Sequence, residues 1–162
     1  MNRREAIIRI GVASIDLALP KPKFLPDQPN YDEIWRAQPE ALRKGGITHY
    51  GPGVMEEVVK ARLRMNHLDE ATVNLVSPGY WIATLHRNEV GSFVWLQVKD
   101  YSVGPVLVVD CVGRKDLPNH VAAGRIGEVS YLLAQQLDIV GQPTLGIIRT
   151  IPVPRTQKLY PF

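Results

Sequence analysis

Short apolar segments separated by turn signals fill the chain from residue 47 onward, and this pattern limits the possible folds more than any other feature. The segments are rich in valine, isoleucine and aromatic residues, which favour strands. Residues 77–79 (Ser-Pro-Gly) and 88–91 supply turns between them. The predicted strands are residues 47–50, 73–76, 80–86, 93–98, 103–109 and 146–153. Six short strands with few helices predict a mainly β fold closed into a compact barrel.

Two short helices are predicted to interrupt the strands. Apolar residues at helical spacing in residues 54–65 would turn Val54, Val58, Ala61 and Met65 toward the core. The charged residues of this helix, Arg62 among them, would then lie mostly outside. Residues 127–137 show the same periodicity and predict a second helix that buries its valine and leucine residues.

Two carboxylates stand at the ends of apolar segments. Asp110 closes the β-branched run of residues 106–109, and Glu128 follows a glycine-basic turn and opens another apolar segment. A carboxylate delivered by a buried strand is held rigidly and partly desolvated, which suits general acid or base chemistry. The structural alternative is that both acids only close turns or cap a helix.

Composition limits the class of protein. The 162 residues, 45% of them hydrophobic, suffice for one packed domain with an N-terminal appendage but not for two ordinary domains. The net charge of +3 is spread along the chain, so we expect no nucleic-acid partner. A single cysteine excludes an internal disulfide, and the four histidines have no companions at metal-ligand spacing. We therefore expect no metal and no cofactor.

Cys111 and His120 are two further catalytic candidates. Cys111 could be a nucleophile with His86 or His120, but its flanks look buried and the neighbouring Asp110 would raise the thiol pKa. We therefore disfavour a cysteine mechanism. His120 follows Asp116 in a polar segment, which predicts a solvent-exposed turn.

Residues 1–20 resemble an export signal of the twin-arginine type. Arg3 and Arg4 precede a mostly apolar stretch, residues 6–19, which ends before Pro20. Such a signal would place the protein outside the cytoplasm. The alternative is an amphipathic opening helix or strand of a cytosolic protein. The stretch is too short and too polar for a stable membrane span.

Residues 21–46 are rich in proline and predict a linker. Prolines suppress regular structure, so only a short helix within residues 31–44 is expected there. Tyr31 and Trp35 would pack as a helical pair against the main domain. Gly45 and Gly46 mark the predicted boundary, so that the barrel spans residues 47–153 and a tail spans residues 154–162.

Four segments in a fixed order resemble the double-psi β-barrel of rare lipoprotein A-like and expansin-like (barwin-like) proteins. The segments are His49-Tyr50-Gly51-Pro52-Gly53, Ala83-Thr84-Leu85-His86-Arg87 with Val90-Gly91, the strand ending at Asp110, and Gly124-Arg125-Ile126-Gly127-Glu128-Val129-Ser130-Tyr131 with Ala134. The resemblance implies a six-stranded barrel with a polysaccharide groove. It also implies an often extracytoplasmic family, with members that cleave or loosen cell-wall glycans.

The resemblance implies roles for three residues. Asp110 matches the aspartate of the family's Asp-Arg-Gly-Pro turn, Glu128 the aspartate of its Asp-Leu-Ser segment, and His86 a histidine of the pattern. Asp110 is thus the expected acid/base, and a nearby Glu128 would favour its protonated form. His86 would hydrogen-bond a carboxylate or a sugar hydroxyl. The turn after Asp110 departs from the family pattern, and an early acidic residue of the family has no match.

Aromatic and basic residues would complete the groove. Tyr50, Tyr80, Trp81 and Trp95 offer ring faces to the apolar side of a sugar, and Arg125 is the candidate basic contact. The alternative for each aromatic residue is ordinary packing in the core or at its rim. Because of the departures, we expect a protein that binds or remodels polysaccharide such as peptidoglycan and does not require catalysis to do so. The alternatives are a lytic transglycosylase or glycoside hydrolase acting on peptidoglycan, and a structural or protein-interaction module.

Overall fold

The computed structural model describes residues 29–152, and their six strands close into one barrel. The strands are β1 Leu42–His49, β2 Trp81–Thr84, β3 Phe93–Val98, β4 Tyr101–Cys111, β5 Arg125–Val129 and β6 Thr144–Ile151. The helices are α1 Tyr31–Arg36, α2 Val54–Arg64, α3 Glu70–Val73, α4 Leu117–Ala122 and α5 Tyr131–Gln136, with a 3₁₀ helix at Arg87–Glu89. The prediction of a mainly β, six-stranded barrel with few short helices is confirmed. The predicted export segment and C-terminal tail lie outside the described residues.

The strand order around the barrel is β1-β5-β2-β4-β3-β6. The pairs β1–β5 and β2–β4 are parallel, and the other four are antiparallel. Exchanging β1 with β4, β2 with β5 and β3 with β6 leaves this pattern unchanged, so the topology has a two-fold symmetry. Each parallel pair also contains one shift of register.

Alternation along β4 separates an inner from an outer apolar cluster. Val106 and Val108 point into the barrel, whereas Leu107 and Val109 point outward and belong to the cluster of Met55 and Val59 on α2. Helix α4 packs against β5 in addition. We call the outer side of β5, β2 and the C-terminal parts of β1 and β4 the covered wall, and the outer side of β3, β6 and the N-terminal parts of β1 and β4 the open wall.

The two ends of the barrel are closed by different means. Helix α5 contributes Leu133 and Ala134 to the inner cluster at the end where β5 finishes. At the other end Arg43 of β1 binds both carboxylate oxygens of Glu89, with Nη1 2.6 Å from Oε2. Both side chains are buried, and a buried charge is tolerated in a fold when an opposite charge satisfies it.

Two predicted elements are wrong. Residues 73–76, predicted as a strand, form the end of α3 and the turn after it, because Asp69 caps this helix by accepting a hydrogen bond from the Thr72 amide at 2.6 Å. Residues 127–129, predicted to open a helix, are the end of β5. Helix α5 starts after Ser130, whose hydroxyl accepts a hydrogen bond from the Leu133 amide at 3.1 Å.

The buried face of α2 also differs from the prediction. Met55 and Val59 are buried, whereas Val54 is 43% and Met65 52% exposed. Arg62, predicted to lie outside, follows Met55 by seven positions and therefore shares its face. Helix α2 thus presents a guanidinium group to the barrel.

The chain enters the barrel earlier than the sequence suggests. Strand β1 begins at Leu42, inside the predicted linker, and Gly45 and Gly46 lie within it. A Cβ at Gly45 would lie 2.6 Å from the Gly124 carbonyl oxygen, so the close approach of these two backbones requires glycine. Before β1, Trp35 of α1 donates a hydrogen bond from Nε1 to the Val112 carbonyl at 3.0 Å, which fastens α1 to the barrel.

Candidate functional site

The two predicted acids meet on the covered wall. Glu128 and Asp110 are both register partners of Ala83, Glu128 from the antiparallel side and Asp110 from the parallel side. Thr48 of β1 pairs in turn with Glu128. Since neighbouring strands lie about 4.8 Å apart, the Cα atoms of the two acids are separated by roughly 10 Å. One row across four strands therefore brings the carboxylates to the same surface.

A register shift turns Asp110 outward. Strict alternation after the inner residues Val106 and Val108 would point Asp110 into the barrel. However, Ile82 of β2 pairs with Val108 and the next residue, Ala83, pairs with Asp110, so the register skips Val109. Ala83 and Val109 belong to the outer cluster, and Asp110 joins them on that side. The bulge therefore carries the acid to the outer surface.

Asp110 has a fixed cationic partner. The Nη2 group of Arg62 donates a hydrogen bond to Asp110 Oδ1, and the two side chains are only 20% and 18% exposed. The Nη1 group of Arg62 lies 3.1 Å from His67 Nδ1. A charge-assisted pair in a half-buried setting is strong because water competes for it poorly. Helix α2 thereby fixes the position of the Asp110 carboxylate.

Glu128 is held from both sides. The Thr48 hydroxyl donates to Glu128 Oε1 at 3.1 Å, and His120 Nε2 of α4 lies 4.0 Å from Oε2. The prediction that His120 lies in an exposed turn is wrong, since its ring is buried beneath α4 and is only 8% exposed. Its Nδ1 atom is buried and has no hydrogen-bond partner among the described residues.

Tyr50 follows β1 and lies in the field of both acids. Burial raises the pKa of its phenol, and the negative charges of Glu128 and Asp110 raise it further. The hydroxyl therefore stays protonated and remains a hydrogen-bond donor at the cluster. We call the set of Thr48, Tyr50, Arg62, Asp110, His120 and Glu128 the carboxylate site.

His86 lies at the end of β2, outside the carboxylate site. Its Nδ1 is 2.9 Å from the Ile34 carbonyl oxygen of α1, a contact that requires Nδ1 to carry the proton. Burial lowers the pKa of His86, and the charges that act on it come from Arg43 and Glu89. In the described contacts His86 joins α1 to the barrel and does not contact Asp110 or Glu128.

Three other predicted contact residues lie in different places. Trp81 packs half-buried against the outer cluster beneath the helices. Arg125 opens β5 beside Gly46, three residues before Glu128. Trp95 is on β3, diametrically opposite β5 in the strand order. The structure therefore places Tyr50 with the two acids, and does not unite Trp95 with them in one groove.

Cys111 follows Asp110 and is half-buried. Burial raises the pKa of its thiol, and the charge of Asp110 adds to this effect. A thiol with a raised pKa is a poor nucleophile near neutral pH. The structure therefore gives no support to a cysteine mechanism.

Three members of the carboxylate site were missed in the sequence. Arg62 could have been found, because the face of α2 defined by Met55 and Val59 also contains it. Thr48 lies beside the His49-Tyr50 motif and pairs with Glu128 only through strand register. His120 is visible in the sequence only as a possible partner of Cys111, and its place beside Glu128 has no signal there, since it depends on how α4 docks on β5.

The chain matches no protein-family model, and neither the curated proteins nor the solved structures yield a similar protein. No helix of residues 29–152 is long and apolar enough to cross a membrane. Within the same residues, no group of three or more histidine, cysteine, aspartate or glutamate side chains is arranged to hold a metal ion. Any functional argument therefore rests on the geometry of the barrel surface.

Proposed function

We propose that this protein binds polysaccharide on the covered wall and that the carboxylate site is its sugar contact. The observation that carries the proposal is that Asp110 and Glu128, from two different strands, flank Ala83 in one row of the covered wall, with the phenol of Tyr50 in the field of both. Carboxylate oxygens accept hydrogen bonds from sugar hydroxyls, and a tyrosine supplies both a donor and an apolar ring. The two acids keep partial access to solvent, as a sugar contact requires.

The partners of the acids favour binding over bond cleavage. A general acid must carry a proton next to the leaving oxygen. Asp110 Oδ1 already accepts a hydrogen bond from Arg62, so this oxygen is occupied as an acceptor. Glu128 is likewise positioned by Thr48. Rigid acceptors of this kind suit recognition of hydroxyl groups.

The resemblance to rare lipoprotein A-like and expansin-like proteins supports a finer proposal. The closed six-stranded barrel with two parallel pairs is compatible with the double-psi fold of that family. On this basis the ligand is a cell-wall glycan such as peptidoglycan, and the protein acts outside the cytoplasm.

Cleavage of the same glycan is the second candidate function. The observation that favours it is the proximity of the buried His120 ring to Glu128, since an imidazole can exchange a proton with a carboxyl group. Under this alternative the protein would be a lytic transglycosylase or glycoside hydrolase, with Asp110 and Glu128 as its acid pair.

Retention on insoluble glycans tests the proposal. The full-length protein is incubated with purified peptidoglycan and with cellulose, beside Asp110→Asn and Glu128→Gln, and the supernatant is analysed for released fragments. The matched controls are Asp138→Asn and Glu57→Gln, which change exposed acids outside the carboxylate site. We expect each site variant to weaken retention about tenfold, as loss of a charged hydrogen bond would, and the controls to bind as the wild type.

Each other outcome decides against part of the proposal. Fragment release that disappears in Asp110→Asn would establish the enzyme instead. Retention that is unchanged in both site variants would exclude the carboxylate site as the sugar contact. No retention on either polymer would overturn glycan binding at this site. Circular dichroism of each variant shows whether its fold is intact.

A further inference from the structure

Trp95 forms a flat, exposed platform on the open wall. The side chain is 44% exposed, although it stands in the middle of β3. A Cβ at Gly104 of the neighbouring strand would lie 2.7 Å from Cε3 and 2.9 Å from Cδ2 of the indole. The ring therefore packs directly on the glycine, which fixes one face of the indole and leaves the ring in place for a ligand on its exposed side.

The surroundings of the platform are polar and accessible. Trp95 borders a shallow cavity of about 340 Å³ whose other lining residues include Gln97, Ser102 and Arg149. Arg149 of β6 is the register partner of Trp95, so the two side chains leave the same face of the sheet with Cβ atoms about 5 Å apart. An aromatic face with hydrogen-bonding groups at its edge is suited to a ligand that is apolar on one side and polar at its rim.

The strands of the open wall carry charge of a single sign, and the nearest exposed acid in the sequence is Asp100, in the turn that joins β3 to β4. Strands β1, β3 and β6 contain Arg43, Lys44 and Arg149 but no aspartate or glutamate. Lys44 and Arg149 are exposed, whereas Arg43 is buried in an ion pair with Glu89. No ion pair with another described residue engages Arg149. A ligand on this face thus meets positive charge beside the indole, which favours an anionic partner.

We propose that the open wall is a second glycan-binding site, selective for an acidic polysaccharide of equatorially linked pyranose rings. One ring would stack its C–H face on Trp95, its hydroxyls would reach Gln97 and Ser102, and a carboxylate on the chain would pair with Arg149. The choice of a polysaccharide as ligand rests on the proposed function, and the place of the site rests on the residues of the open wall. Trp95, on β3, lies opposite Glu128 of β5 in the strand order.

Titration calorimetry of the full-length protein with two soluble probes tests the proposal. Hyaluronan hexasaccharide carries carboxylates on equatorially linked rings, and fully N-acetylated chitohexaose, called chitohexaose below, has equally many such rings without charge. We expect tighter binding of the hyaluronan probe and a preference that weakens with salt. Trp95→Ala is expected to lose roughly tenfold or more for both probes, and Trp95→Phe to recover part of the loss.

Arg149→Gln separates the role of charge from that of stacking. This variant is expected to lose about fivefold for the hyaluronan probe and nothing for chitohexaose. Leu145→Ala, which removes another exposed apolar side chain from β6, is the matched control and should bind as the wild type. Thermal unfolding of each variant verifies that the barrel is intact.

The results distinguish this site from the carboxylate site. In a Glu128→Gln background, Trp95→Ala should still lower the affinity for the hyaluronan probe by roughly tenfold, and a Trp95→Ala effect that disappears in that background would overturn a separate platform. The proposal is equally overturned if the wild type binds neither probe, if it prefers chitohexaose, or if Trp95→Ala binds normally. A wild-type dimer that Trp95→Ala dissociates in sedimentation would assign the face to self-association instead. If the wild type binds the probes but Glu128→Gln does not change retention on insoluble glycans, the proposed function of the carboxylate site is refuted and the platform on Trp95 is not.

Discussion

The covered wall and the open wall belong to the same barrel but treat their outward side chains differently. On the covered wall, Leu107 and Val109 point outward and are fully buried beneath the outer cluster. On the open wall, Trp95 and Leu145 also point outward and are 44% and 62% exposed. Strand alternation is therefore common to both walls, and the helices and connecting segments packed outside the barrel decide which outward residues lose water.

The difference determines what chemistry each wall can carry. Helices α2 and α4 bring Arg62 and His120 over the strands, so the acids of the covered wall are partly desolvated and have fixed partners. The open wall has an immobilised ring and cations in contact with water. The first arrangement offers oriented acceptors, and the second offers stacking with long-range attraction.

The largest expected effect tests whether helix packing truly separates the walls. Met55→Ala removes a fully buried side chain between α2 and the barrel and should lower the free energy of unfolding by about 2–5 kcal/mol. Leu145→Ala on the open wall should change it by less than about 0.5 kcal/mol. Urea denaturation measures both values.

Met65→Ala serves as control on the same helix, since Met65 is 52% exposed and should behave like Leu145. Equal destabilisation by Met55→Ala and Met65→Ala would refute the assigned buried face of α2.

An intermediate effect is expected for the cations of the two walls. Arg62→Met leaves the half-buried Asp110 without its partner and should cost about 1–3 kcal/mol of stability. Arg149→Met, on the open wall, should stay within about 0.5 kcal/mol. A double-mutant cycle of Arg62→Met with Asp110→Asn measures the coupling by denaturation. Zero coupling would mean that the ion pair does not position Asp110.

The smallest effect is expected at the rim of the covered wall, where His86 anchors α1. Burial lowers its pKa below the ordinary value of 6.5. The unfolded chain therefore binds more protons than the folded one below that value. The contribution of neutral His86 to stability is complete above pH 6.5 and declines as the pH falls toward the lower folded pKa.

Denaturation at pH 7.5 and pH 5.5 checks this sign. From pH 7.5 to pH 5.5, the free energy of unfolding should fall more in the wild type than in His86→Gln, because the variant cannot take up the proton. An equal loss in both proteins would show that His86 does not titrate differently in the folded state.

Much of the barrel could be predicted from local patterns. The β-branched run before Asp110 and the alternation in residues 93–98 gave strands that the structure contains. The errors came from ambiguous periodicity. The apolar residues around Val129 fit a helix as well as a strand, and only Gly127, whose Cβ would lie 2.9 Å from Ile82 Cδ1, reveals the crowded barrel interior.

The candidate site was predictable in part for the same reason. Asp110 and Glu128 were visible as acids at the ends of apolar runs, and Tyr50 as part of a turn motif. Their partners were not visible, because Arg62 and His120 depend on the docking of α2 and α4. The aromatic ring of Trp95 made it a candidate sugar contact, but its wall could not be assigned without the strand order.

The sequence by itself determined that this chain forms a mainly β barrel with two acids at strand ends, because strand propensity, turns and apolar runs are local properties. The tertiary structure decided which way those acids face. The pairing of β2 with β4 skips Val109, and this single residue turns Asp110 from the barrel interior to the surface. The strand order places Trp95 opposite Glu128. Register and strand order are long-range pairings, and no local pattern specifies them.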